Sequence, residues 1–370
     1  MSATRQPTRP SNVATALAAD RLGVPAVVFF VMSAATPLTV VAGVVTTGYA
    51  VIGITGLPVA FIVIGVVLAL FCVGYVSMAR RVANAGAFYA YISHGIGRPV
   101  GVAGAWVALV AYNALQVGLY GAIGAATTPL LSAWFGLDVA WWVVALIAWA
   151  IVAVLGLLHV DVNGRVLAVL LVAEVAVIVV YSVANVANPA GGTVTFDTLD
   201  PTALFQPGVG AILTIAVLGF VGFEGAVVYS EEARDPQRTV QIASYVSVGV
   251  IAGLYTLGSW AMSVATGPDQ IVVQSQTAST ELIFQLANSN LGVLIVDIGR
   301  VLFVTSVLAA MSRVAPVRCR TRAPSGPYKP LVAAYGPSKP RGQLGFGCHR
   351  AVFPDSWAGF RIRLQVACTR

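Results

Sequence analysis

The chain has 370 residues, 58% of them hydrophobic and only 9% charged, with a formal net charge of +7 and a mean hydropathy of +0.86. A soluble domain carries about 25% charged residues, so this composition excludes an ordinary soluble globular protein, a disordered chain and a disulfide scaffold, and leaves a polytopic membrane protein. Residues 1–312 hold ten Lys and Arg against thirteen Asp and Glu, while residues 313–370 hold eleven against one, Asp355, so the basic character marks a tail and not a nucleic-acid-binding body.

Residues 1–23 form a polar N-terminal tail with Arg5, Arg9, Asp20 and Arg21. The apolar run behind it is too long for the core of a secretory signal. A membrane helix needs about 20 largely apolar residues. Eight such runs follow, at roughly 24–48, 56–78, 100–131, 139–158, 165–187, 208–231, 241–264 and 291–311.

The first run contains Ser33-Ala34-Ala35-Thr36-Pro37. Proline removes a backbone donor and clashes with the preceding turn. Inside a bilayer the freed groups are tolerated only where neighbours or a wet cavity satisfy them. The segment reads as a broken span or as a simple proline kink. In the third run Tyr112, Gln116 and Tyr120 recur every four residues, forming one stripe that reads as a cavity wall or as ordinary helix packing. Glu174 lies about midway along the fifth run, with no positive partner nearby in sequence. An acid there is a functional hypothesis by default: a proton carrier, against a protonated acid hydrogen-bonded to a neighbouring helix.

The sixth run holds Gly219-Phe220-Val221-Gly222-Phe223-Glu224-Gly225. Glycines at a spacing of three suit close helix packing, but that leaves the carboxylate of Glu224 in an apolar run unexplained. An unwound backbone whose amides and carbonyls face a ligand accounts for both, and paired interrupted helices point to a transporter-type site. Asp235-Pro236 reads as the cap and first position of the next helix, within a solvated charged loop from Glu231 to Arg238. In the eighth run Asp297 and Arg300, three apart, read as a mutually neutralising structural pair.

The loops orient the chain. With the N-terminus inside, segments 1–23, 79–99, 159–165 and 232–240 hold nine Arg, and segments 49–55, 132–138, 188–207 and 265–290 hold no Lys or Arg. This bias predicts cytoplasmic N- and C-termini and a multi-pass protein of the cytoplasmic membrane. Cys72, Cys319, Cys348 and Cys368 show no C-x-x-C spacing, and His94, His159 and His349 are scattered, so no metal or cofactor is expected. The body has no nucleophile with an evident base, and no enzyme activity is expected.

The stretch GFVGFEGAVVYSEEARDPQRTV at 219–240 resembles the sixth span and following loop of the amino acid–polyamine–organocation superfamily, through Phe220, Gly222, Phe223, Glu224, Glu232, Pro236 and Arg238. NAGAFYAYISHGIGRPVG at 84–101 resembles the family's loop between its second and third spans. Ala34-Ala35-Thr36 stands where many members have a G-S-G-like break, a departure that keeps small residues. The likeness covers roughly residues 20–311. It implies an all-α polytopic membrane protein with the leucine-transporter-type inverted repeat. The first five spans lie at 24–187 and three spans of a second repeat at 208–311. That repeat lacks its last two spans, so the fold is incomplete.

The resemblance further implies a secondary active permease for amino acids or related amines, most simply proton-coupled, in a lipid bilayer. The implied substrate site is Ala34, Ala35, Thr36, Phe220, Gly222, Phe223, Glu224 and Gly225. Glu174 and Glu224 are candidates for coupling or gating, and Tyr112, Gln116 and Tyr120 for a cavity wall. The alternative is a transport-inactive membrane fragment. Residues 312–370 match nothing expected of the family. With seven Pro, six Gly and eleven basic residues beyond Met311, they read as a basic tail attracted to anionic lipid, or as the product of a truncation or reading-frame shift near residues 311–315.

Overall fold

The computed structural model describes residues 23–81, 87–157, 164–228 and 235–314. Residues 1–22, Glu231, Glu232, Arg234 and the tail beyond Val314, with its three cysteines, lie outside the described residues. All regular structure among the described residues is helical. Helices stand at each of the eight predicted places. Six are long and apolar enough to cross a membrane, and two shorter apolar ones are Trp141–Val154 and Val209–Gly219. The second of these is short because the sixth span is broken, not because its apolar run ends.

In chain order the spans are the first at Val24–Ala35 continued by Pro37–Thr39, Val40–Val45 and Thr46–Ile52; the second at Leu57–Arg81; the third at Arg98–Phe135; and the fourth at Trp141–Leu157. The fifth follows at Gly164–Ala187, the sixth at Val209–Gly219 and Gly225–Val228, the seventh at Pro236–Thr266 and the eighth at Val293–Val314. A short helix, Ala87–Gly95, lies between the second and third spans. Residues 265–290, expected as a loop, contain the helices Ile271–Ala278 and Leu282–Leu291. The expected cap forms: Asp235 accepts the Arg238 backbone N–H at 3.2 Å, with Pro236 opening the helix. In the segment between the fifth and sixth spans, Asp200 accepts the Thr202 hydroxyl at 2.6 Å and its amide at 2.8 Å. Those two bonds hold its carboxyl below the ordinary range.

Lipid tails are as apolar as leucine, so helices in a bilayer associate through close packing of small residues and a few polar contacts. A Cβ on Gly65 of the second span would meet the Ala252 Cβ of the seventh at 2.8 Å, and one on Gly258 would meet Val41 of the first span at 2.9 Å. Gly124 of the third span lies equally close to the Trp141 carbonyl at the start of the fourth, 2.6 Å from the position a Cβ would take. The first span is the most enclosed, with 67% of its apolar window buried, and the third the least, with 6%. The broken first span is therefore the centre of the packing, with the seventh, fifth, sixth and eighth spans around it.

Candidate functional site

The first span does not merely kink. Its opening helix stops at Ala35, and Thr36 takes the left-handed conformation, φ 43° and ψ 69°, before Pro37 starts the next helix. That region is sparsely populated for residues other than glycine, and for a β-branched residue it persists only where the surroundings impose it. Ser33, Ala35 and Thr36 are buried. The Ala35 carbonyl, left without an intrahelical donor, accepts the hydroxyl of Tyr255 from the seventh span at 3.3 Å. Past the break the chain runs through a six-residue π-helix, Val40–Val45, a form often found at functional sites.

The sixth span unwinds over Phe220–Glu224, between the helices Val209–Gly219 and Gly225–Val228. Gly222 sits at φ 108°, a conformation only glycine takes without strain. The Glu224 carboxylate folds back on this turn. Its Oε2 accepts the Gly222 N–H at 2.9 Å, and its Oε1 accepts the hydroxyl of Tyr112 from the third span. The Glu224 carbonyl accepts the Tyr75 hydroxyl from the second span at 3.0 Å.

The two breaks touch. A Cβ on Gly222 would stand 3.1 Å from the Ala34 carbonyl carbon, 3.2 Å from its oxygen and 3.2 Å from the Ala35 nitrogen. Two interruptions 180-odd residues apart in sequence thus face one another backbone to backbone. Phe220 and Phe223 leave this contact in different directions. Phe220, 1% exposed, packs against Phe61 and Tyr255, and Phe223 against Phe71 and Tyr75. Both rings are held in aromatic clusters, while the unwound backbone between them carries the polar groups.

Glu174 belongs to the first break. It is 5% exposed, and its Oε2 accepts the Ser306 hydroxyl of the eighth span at 2.9 Å. The Leu38 N–H, at the start of the helix after the break, approaches the same oxygen at 3.5 Å. Ser306 in turn accepts the hydroxyl of Thr39 at 2.9 Å. One carboxylate therefore links the fifth span, the eighth span and the second half of the first. Since Pro37 has no N–H, Leu38 carries the first amide of that half-helix, where the helix dipole favours negative charge.

In the third-span stripe, Tyr112 reaches Glu224, while Gln116 Nε2 donates to Tyr120 at 3.1 Å. Among the described residues the buried Gln116 Oε1 has no hydrogen-bond partner. The expected Asp297–Arg300 pair forms at 3.3 Å, but the shorter bond from Arg300 goes to Glu281 at 2.8 Å. An apolar groove of about 510 Å³ lies elsewhere, between the second and seventh spans, and holds none of the predicted site residues. Tyr75, Tyr255, Thr39 and Ser306 were missed in the sequence because hydroxyls on apolar helices are common and only the packing shows which face a break. Among the described residues no three of His, Cys, Asp or Glu assemble as a metal-ligand set.

Helices of membrane-spanning length and two broken spans meeting at their breaks define a polytopic α-helical membrane protein of the transporter type. The amino acid permease family matches residues 22–316, and the chain belongs to that family. It is thus a multi-pass membrane protein of a family that transports amino acids or related compounds, and not an enzyme. No individually curated protein matches the chain.

Proposed function

We propose that the protein is a secondary active transporter that binds an amino acid or related amine at the paired breaks and couples its movement to protons. The observation that carries this reading is the contact between Gly222 and the Ala34–Ala35 backbone, with one carboxylate attached to each break. Broken half-helices supply backbone amides and carbonyls to a ligand without any dedicated polar side chain. The substrate lies against Ala34, Ala35, Thr36, Phe220, Gly222, Phe223, Glu224 and Gly225. Phe220 and Phe223 contribute mainly by fixing the unwound backbone, and Tyr112, Gln116 and Tyr120 form the third-span wall. The first five-span repeat lies at 24–187 and a partial second repeat of three spans at 208–311. The basic loops face the cytoplasm, in the cytoplasmic membrane.

Coupling falls to Glu174 and Glu224. When Glu174 is ionised it accepts from Leu38 and Ser306 and ties the half-helix after the first break to the eighth span. A proton on Glu174 removes the charge that holds these donors and frees the half-helix to move. Glu224 couples occupancy of the site to the third span through Tyr112. Uptake of labelled amino acids and amines into proteoliposomes, with and without a pH gradient, tests the proposal. Accumulation driven by an inward proton gradient supports it. No uptake under either condition rejects it in favour of a transport-inactive membrane fragment.

A further inference from the structure

We infer that Tyr75 of the second span is a positioning residue: its hydroxyl anchors the backbone of the sixth-span break and so sets where the Glu224 carboxylate stands. Its part in transport rests on the transporter reading above. Tyr75 is 3% exposed, and a buried phenol needs a hydrogen-bond partner. It finds one in the Glu224 carbonyl at 3.0 Å, 149 residues away. That carbonyl does not need the bond for its own sake, since it already accepts the Val227 N–H at 3.3 Å. What the bond adds is a hold on the peptide between Glu224 and Gly225. Nothing at Gly225 itself restrains that peptide: a Cβ there would meet nothing within 4 Å, and glycine lets the chain turn freely.

The anchor is itself fixed. The centre of the Tyr75 ring lies 5.5 Å from that of Phe71, 5.1 Å from Phe88, 5.7 Å from Tyr91 and 6.3 Å from Phe223. Phe88 and Tyr91 come from the short helix Ala87–Gly95. Tyr75 and Tyr91 also pack with Val227 of the sixth span and Val240 of the seventh. The ring is therefore wedged among the second span, the short helix and the seventh span, and it cannot follow a turning peptide. Glu224 is held at both ends as a result: Tyr75 holds its carbonyl, while the Gly222 N–H and the Tyr112 hydroxyl hold its carboxylate. A side chain stays on two donors only while its own backbone stays in place. Tyr91 supplies the comparison. Among the described residues its buried hydroxyl, in the same cluster, has no hydrogen-bond partner.

The test uses the full 370-residue chain and the variants Tyr75→Phe, Tyr91→Phe, Tyr112→Phe and Tyr75→Phe with Tyr112→Phe. Amide hydrogen exchange in detergent reads the break directly. Exchange across residues 220–228 is expected to speed up in Tyr75→Phe and to stay at the parent's rate in Tyr91→Phe. Uptake of labelled leucine, arginine and 1,4-diaminobutane into proteoliposomes reads the consequence. Tyr75→Phe is expected to raise KM by roughly threefold or more with Vmax and melting temperature close to the parent's, the pattern of lost binding and not of lost turnover or fold. In the double variant KM is expected to rise by less than the product of the two single effects, because both tyrosines act on one carboxylate. Parent-like exchange and KM in Tyr75→Phe overturn the inference. Equal effects of Tyr75→Phe and Tyr91→Phe also overturn it, since the cluster then acts through packing and not through one bond. Effects that multiply in full show that Tyr75 acts independently of Glu224, and overturn the role given to it. If the parent takes up none of the three compounds while exchange responds as expected, the transporter reading falls and the anchor stands.

Discussion

Gly222 lies against the Ala34 carbonyl so closely that a single added methyl group would sit 3.1 Å from the carbonyl carbon. The contact joins the two breaks, and it is backbone against backbone, so neither side can swing away as a side chain would. Gly222 also adopts φ 108°. Gly222→Ala therefore combines steric pressure with a disfavoured backbone conformation, a cost of ~1–3 kcal/mol. Gly225 is the control. A Cβ there meets nothing within 4 Å, and the residue opens the short helix Gly225–Val228. Gly225→Ala is expected to be neutral or slightly stabilising. Thermal unfolding in detergent distinguishes the two. Equal behaviour of both variants would mean that the breaks do not need to touch.

A second expectation concerns Glu174 and its donors. Glu174→Gln keeps the shape and an acceptor oxygen but cannot carry a proton in this range. It is expected to abolish stimulation of uptake by a pH gradient while leaving substrate exchange across the membrane largely intact. Ser306→Ala removes the 2.9 Å bond to Glu174 and leaves Thr39 without its acceptor. A buried group deprived of its partner costs ~1–3 kcal/mol, so this variant is expected to melt earlier than the parent and to shift the pH dependence of uptake. A Glu174→Gln protein that still accumulates substrate on a proton gradient rules out Glu174 as the carrier.

The two breaks of the candidate site are legible in the sequence, and for identifiable reasons. Pro37 inside an apolar run and three glycines around Glu224 are local signals, since each changes what its own backbone can do. Both breaks fell where these residues put them. Ser306 was not legible as the partner of Glu174, because the two are 132 residues apart and a serine in an apolar helix carries no local signature. The same holds for Tyr75 and Tyr255, whose hydroxyls end on backbone carbonyls of the breaks. The helices at Ile271–Ala278 and Leu282–Leu291 were hidden by composition. Their Gln, Ser, Thr and Asn residues weaken the apolar signal; packing of Ile271–Ala278 against the end of the first span, and of Leu282–Leu291 against the eighth and fifth, supplies what propensity does not. Gln276 seals the first of these contacts by donating to the Ala50 carbonyl at 3.0 Å.

Tyr112 gives a third expectation. Its hydroxyl bonds Glu224, but the residue is 40% exposed, so the fold depends little on it. Tyr112→Phe removes only the bond. Without that bond the Glu224 carboxylate is free to turn away from the proposed site, and a loss of roughly tenfold in apparent substrate affinity, about 1.4 kcal/mol, is expected. The melting temperature should stay close to that of the parent. Raised KM with an unchanged melting temperature is the expected pattern. Unchanged transport would remove the third span from the site.

The last expectation lies away from the breaks, where the eighth span holds down the helices that precede it. Arg300 gives two bonds to Glu281 Oε2, from Nε at 3.2 Å and Nη2 at 2.8 Å, and one from Nη1 to Asp297 at 3.3 Å. Its guanidinium also lies 5.9 Å from the centre of the Phe284 ring. The side chains of Arg300 and Glu281 are 23% and 17% exposed, between a solvated pair of about 0–1 kcal/mol and a buried one whose breakage costs about 3–5 kcal/mol. Arg300→Met leaves two acids facing each other without a counter-charge, and a cost of ~1–3 kcal/mol is expected. Arg300→Lys keeps the charge but loses the planar fork that spans both acids, and should fall between the parent and Arg300→Met. Adding Glu281→Gln to Arg300→Met removes the repulsion and should recover part of the loss. Thermal unfolding of the four proteins at low and high salt measures this directly. If the double variant melts below Arg300→Met, uncompensated charge is not what destabilises the single variant, and the cluster acts through packing instead.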